Sequence, residues 1–223
     1  MMLANVLILE TSTESGSVAV ARDGALTAEL AFASRDPATG VRTESLAPAV
    51  AACLAQASMS PRELSAVICG AGPGGFTSLR SAAALAKGLC SALHIPLYAV
   101  SSLEVLAWSA DVDDGVFVVA LPAGRNEWFF ADVRSEEKRA SLVGEAGLIG
   151  DTDLRARSAT LHASLIGPSL DIDTVPRASA VVRRLEEIEA GRAVALDSWE
   201  PVYGRLAEAQ VKWEAVHGRP LSV

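Results

Sequence analysis

The chain has 223 residues, enough for one large domain or two small ones. Half of them are hydrophobic, only 5% are aromatic, and 19 Lys and Arg face 27 Asp and Glu for a formal net charge of −8. That balance excludes a largely disordered chain, and apolar stretches such as 49–55 stop far short of the roughly 20 residues a bilayer requires. The opening MMLANVLILETSTES lacks a basic n-region and reads as a strand rather than a signal peptide, so a cytoplasmic location without membrane association is expected.

Val6 to Glu10 reads as a short buried strand. Ser17–Arg22 alternates apolar and polar residues up to an Asp23-Gly24 turn, and Ala25–Phe32 returns as a hairpin strand. A loop over Arg35–Arg42 precedes a helix from about Glu44 to Ser58, with Pro48 near its first turn. A strand at Ala66–Gly70, the Gly-rich turn GPGGFTSLR at 72–80, a helix to about Leu93 and a strand at Pro96–Val100 complete a βββαβαβ order. A Ser-Ser helix start at 101–102 leads to Trp108, and the acidic DVDDG turn at 111–115 separates the two halves. The second half opens on strands at Val116–Leu121 and Trp128–Arg134. A further strand at Thr160–Ile166 and a helix at Arg177–Glu189 follow, the helix with a charged outward face (Arg183, Arg184, Glu186, Glu187, Glu189). The pattern predicts an α/β fold of two lobes, residues 1–100 and a degenerate copy over 101–223 that includes the C-terminal segment.

Charge is uneven. Residues 1–100 carry six basic and seven acidic groups for −1, and the remaining 13 basic and 20 acidic groups give −7. Neither half has the clustered Lys and Arg of a nucleic-acid surface. Cys53, Cys69 and Cys90 are odd in number and sit in apolar settings, as buried thiols do. With only His94, His162 and His217, no pair stands at metal-ligand spacing, so no metal site is expected.

Two turns carry the chemistry of an anion cradle. ETST at 10–13 offers hydroxyls and amides at Thr11, Ser12 and Thr13, with Glu10 a lone carboxylate for a cation, but by spacing alone it reads more readily as a bare strand-end turn without a ligand. GPGGFTSLR points the amides around Gly74 and Gly75 toward a helix start, or serves only as a tight structural turn. It is neither a P-loop nor GxGxxG. No GxSxG surrounds a serine, and Ser101, Ser102 and Ser109 read as caps or surface residues, so no catalytic residue is named.

The two helices are unusual. SLAPAVAACLAQASMSP has no charge between Glu44 and Arg62. Leu46, Val50, Cys53, Leu54 and Ala57 form a bulky stripe, and Ala47, Ala51 and Ala55 form a second, small one. In the next helix Leu79, Ala83 and Cys90 adjoin a stripe of Leu85, Leu89 and Leu93, with Lys87 the one charge between Arg80 and Leu93. Two apolar faces imply two neighbours. Either each helix covers the other, or both present a patch for another protein. The shared composition favours the second, with Leu46, Ala47, Val50, Ala51, Ala55, Leu79, Ala83, Lys87 and Cys90 as the docking candidates.

VLILETST with SVAV, the TESLAP helix start, GPGGFTSLR, Lys87-Gly88 and HIPLYAVSSLEVLA at 94–107 together resemble the TsaB (YeaZ) family. PVYGR and AEAQVKW resemble its closing segment. The resemblance implies an actin-like, ribonuclease-H-like (ASKHA) fold of two lobes. It also implies a non-catalytic scaffold that pairs with TsaD as a heterodimer and assembles with the ATPase TsaE to form tRNA threonylcarbamoyladenosine. ATP and magnesium then act at the level of the complex, tRNA is met through the complex, and the isolated chain has the same patch available for a homodimer. The sequence departs from the family pattern at Glu10 (usually Asp), Thr43 (often His), Gly75 (usually Ser) and Ser78 (usually Gly), which weakens any nucleotide site of its own. The competing reading is an actin-like ATPase or kinase acting alone through ETST and GPGGFTSLR.

Overall fold

The computed structural model describes residues 3–33, 39 and 45–204. The expected loop at 35–42 (apart from Thr39), Thr43 and the AEAQVKW segment at 207–213 fall outside them. The first half forms β1 (Asn5–Glu10), β2 (Ser15–Arg22), β3 (Ala25–Ala33), α1 (Leu46–Gln56), β4 (Ala66–Gly70), α2 (Phe76–Leu93) and β5 (Leu97–Val100). Its sheet runs β3-β2-β1-β4-β5, antiparallel across the hairpins and parallel from β1 through β4 to β5.

After α3 (Ser102–Ala110) the pattern restarts with β6 (Gly115–Gly124), β7 (Glu127–Glu136), β8 (Arg139–Gly150), α4 (Asp151–Leu161) and β9 (Ser164–Ile166). The second sheet, β8-β7-β6-β9, reproduces the order and directions of β3-β2-β1-β4. A helix stands between its third and fourth strands, as α1 does in the first. Among the described residues this copy ends one strand short.

The central strands are buried on both faces, and their alternation sorts two cores. Val6 and Ile8 of β1 face the space between the sheets, where they meet Leu103 and Leu106 of α3, Val119 and Leu121 of β6, and Val181. Leu7 and Leu9 face the other way, against Val50, Cys53 and Leu54 of α1 and Ala82, Ala86 and Cys90 of α2. A smaller core joins Val118 and Ala120 to Leu154 of α4.

Two expectations for the second half are corrected. Thr160 and Leu161 finish α4, and strand structure begins only at Ser164. Leu154 is the sole buried residue of α4, so its sequence carries no apolar period to reveal a helix. The segment expected as a helix over 177–189 starts as a 3-10 turn (Ala178–Arg184) and becomes α5 only over Leu185–Ala190. Its start is pinned to the first sheet: the amides of Ala178 and Ser179 donate to Ser17 Oγ and Glu29 Oε1. Arg184, expected outside, is buried with its guanidinium over the Trp108 ring and bonded to Glu187.

Among the described residues no helix is long and apolar enough to cross a membrane. After α5 the chain returns to the first half, where Val194, Leu196 and Trp199 pack on the core under α1 and α2.

Candidate functional site

The ETST turn leaves the C-terminal end of β1, and GPGGFTSLR leaves the C-terminal end of the neighbouring parallel strand β4, so the topology brings the two turns together. They meet in direct contact. The amide of Gly75 donates to the carbonyl of Ser12 at 2.8 Å, and a Cβ on Gly74 would fall 2.4 Å from that same oxygen and 2.6 Å from Ser12 Cβ. Gly72, at φ +85°, lies under the carbonyl of Val202. Thr11 and Ser12 are buried, and Thr11 Oγ1 donates to the carbonyl of Ser78. Thr13 is half-buried and its hydroxyl donates to Ser15. Of the five candidate phosphate ligands, Gly75 alone is exposed, and its amide is already bonded. The Gly75 amide is therefore not free for a phosphate in this arrangement.

Glu10 is 1% exposed. Its Oε1 accepts from the Ser12 amide at 2.7 Å and its Oε2 accepts from Ser102 Oγ at 3.0 Å. Burial raises the carboxyl pKa above the ordinary value, opposed by hydrogen bonding from Ser12, Ser102 and the Thr11 amide. The Ser12 hydroxyl favours the ionised form from close by, although Ser12 Oγ itself makes no hydrogen bond of normal geometry. A Cβ on Gly70 would fall 2.2 Å from Glu10 Oε2, so β4 needs glycine there to make room for the carboxylate. This pin was not legible in the sequence: Ser102, read as a cap or surface residue, is fully buried and carries it. A Ser-Ser helix start gives no sign of a partner 92 positions upstream.

The thiols offer no nucleophile. Burial pushes up the pKa values of Cys53 and Cys69, and that of Cys90 to about 11, so all three stay protonated at neutral pH. Among the described residues, no three His, Cys, Asp or Glu side chains gather closely enough to hold a metal ion.

The helix pair divides the docking candidates. Ala47, Ala51 and Ala55 are exposed on α1 together with Pro48, Ala52 and Gln56, an outward face without charge. Leu46 is half-buried at the helix start. Val50 belongs to the core. On α2, Leu79, Ala83 and Cys90 are buried and do not form surface. Their place outside is taken by Arg80, Ser81, Ala84, Gly88 and Ala92, of which the last four were not marked by the periodicity of the sequence. Lys87 is partly covered, 3.5 Å from Glu200 and over the Trp199 ring. The periodicity located the faces of α2 but not the returning segment that covers one of them.

The duplicated sheet, the strand-end turns and the helices behind the first sheet define an actin-like, ASKHA-class chain whose two Gly- and Ser/Thr-rich turns close on each other. A family model described as "TsaD: tRNA N6-adenosine threonylcarbamoyltransferase" matches residues 38–148. The chain is 27% identical over 230 aligned positions to the tRNA threonylcarbamoyladenosine biosynthesis protein TsaB of Bacillus subtilis, covering 93% of this chain and 97% of that protein. It is 32% identical over 139 residues to TsaB of Haemophilus influenzae, covering 61% of this chain and 57% of that one. YeaZ from Pseudomonas aeruginosa has the same fold, with a TM-score of 0.73 at 23% identity over 90% of this chain and 99% of that structure. These likenesses tie the chain to TsaB (YeaZ) proteins, and the one to Bacillus subtilis TsaB runs over nearly the whole of both chains.

Proposed function

We propose that this chain acts in the formation of tRNA threonylcarbamoyladenosine as a non-catalytic scaffold in the cytoplasm, docking TsaD and assembling with TsaE. The pathway rests on the family, whose curated members above carry it in their names. The scaffold role rests on the outward face of the two helices. An exposed helix normally carries charge along its face, whereas Ala47, Ala51, Ala55, Ala84 and Gly88 present small uncharged surface, with Arg80 the one exposed charge on these two helices. Gly88 sharpens this reading: a Cβ there would meet nothing within 4 Å, yet glycine inside a helix costs about 0.5–1 kcal/mol relative to alanine. A partner helix pressed against the backbone would make use of that loss.

The bonding of Ser12 to Gly75 supports the scaffold over an ATPase or kinase acting alone, since the amide a phosphate would need is already engaged. ATP and magnesium then belong to the complex, and tRNA is held chiefly by its partners, because −8 overall repels a polyanion. Reconstitution tests the reading. Threonylcarbamoyl transfer should appear only when the chain is mixed with TsaD, TsaE, tRNA and the threonylcarbamoyl adenylate, and turnover by this chain alone would overturn it.

A further inference from the structure

The segment that follows α5 is tied to the first half at two points. The amide of Val194 donates to the carbonyl of Leu97 in β5 at 2.9 Å, and the amide of Val202 to the carbonyl of Ala71 just after β4 at 2.7 Å. Between the ties, Trp199 rests on the core with Lys87 Nζ 5.8 Å from its ring. Tyr203 lies 4.5 Å from Phe76 at the start of α2. The end of the segment also bridges the halves: a Cβ on Gly204 would fall 2.5 Å from Phe129 of β7 and 3.0 Å from Pro73 of the GPGG turn.

These anchors are weak beside the strands they touch. Val194, Leu196 and Trp199 are half-buried, and Val202 is 59% exposed. The Lys87–Glu200 ion pair leaves the glutamate side chain 70% exposed, and such pairs contribute little. By contrast, every residue of β1 from Val6 to Glu10 is buried. Local opening follows such differences in burial and bonding.

We propose that residues 194–204 are a releasable strap that opens as one unit from the native chain and controls both the flank of α2 and the spacing of the two lobes. Closed, the strap covers the flank bearing Phe76 and Lys87, seats the Val202 carbonyl over Gly72, and holds Gly204 between Pro73 and Phe129. Open, it bares that flank beside the outward face of α2 and unties the GPGG turn from β7. The device does not depend on the scaffold role, because it concerns the free chain.

Native-state hydrogen exchange on the full chain at low denaturant tests it. The amides of Val194 and Val202 should exchange together, about 100-fold faster than those of β1 and β4. Trp199→Ala should accelerate both by the same factor, about tenfold or more, and leave β1 and β4 unchanged; Tyr203→Ala, which removes the far anchor, should do the same. Exchange of Val194 and Val202 as slowly as β1, independent exchange of the two, or variants that accelerate every strand alike would overturn the proposal.

Discussion

Ser102 Oγ donates to Glu10 Oε2 at 3.0 Å and accepts from the amide of Gly72 at 3.2 Å, so one hydroxyl joins the start of α3 to the end of β1 and to the Gly-rich turn. All of these groups are buried. Ser102→Ala should therefore cost about 1–3 kcal/mol, the penalty for stranding a buried donor and a carboxylate. A urea melt with an unchanged midpoint would show that the bridge carries no stability.

Glu10 gives that junction a pH dependence. In the unfolded chain its carboxyl titrates near 4.5, and in the folded chain burial raises the pKa, against hydrogen bonds from Ser12 and Ser102. Stability from the neutral form is full below pH 4.5 and is lost as pH rises through the folded value. Glu10→Gln stays neutral throughout, so its melting temperature minus that of the parent should grow as pH climbs from about 4.5 toward 7. A constant difference would contradict the assignment.

Glu29 behaves with the opposite sign. Burial alone would raise its pKa, but hydrogen bonds from Arg177 and Ser179 and the charge of Arg177 bring it below the ordinary value. Its contribution is full above the unfolded pKa of 4.5 and is lost as pH falls through the folded one. Glu29→Gln should lose stability relative to the parent at neutral pH and draw level in acid, as paired thermal melts would record.

Adjacent glycines in the same turn should respond differently. A Cβ at Gly74 collides with backbone atoms of Ser12, so Gly74→Ala should cost about 1–3 kcal/mol as the two turns are forced apart. At Gly75 the nearest atom would be 3.6 Å away and φ is an ordinary −62°. Gly75→Ser places a favoured N-cap residue before α2 and should gain a few tenths of a kcal/mol. Equal effects at both positions would mean that the close approach of the turns is not as described.

Much of this was legible in the chain, for identifiable reasons. The βββαβαβ order followed from period-two strands, an Asp-Gly turn and glycines between apolar runs, all local signals. The exposed Ala47, Ala51 and Ala55 stripe was legible because 100° per residue fixes which residues share a face. The inward placement of Leu79, Ala83 and Cys90 was not, since the same angle leaves the neighbour of each face undetermined. The strap over Lys87 depends on Trp199 and Glu200, more than 100 positions downstream. Likewise, α4 hid behind a single buried leucine, and Ser102 behind a partner reached only through the fold.

The central claim is that the small-residue face of α1 is partner surface while its bulky face is core, and one paired measurement tests it. Leu54 is buried in the first-half core, so Leu54→Ala should cost about 2–5 kcal/mol of folding stability. Ala51 is exposed on the same helix, and Arg is well tolerated there. Ala51→Arg should melt within about 2 °C of the parent, less than the shift expected for 1 kcal/mol in a chain of this size, yet fail to retain TsaD in a pull-down. An Ala51→Arg chain that melts normally and still captures TsaD would contradict the docking face, and one that unfolds would place Ala51 in the core.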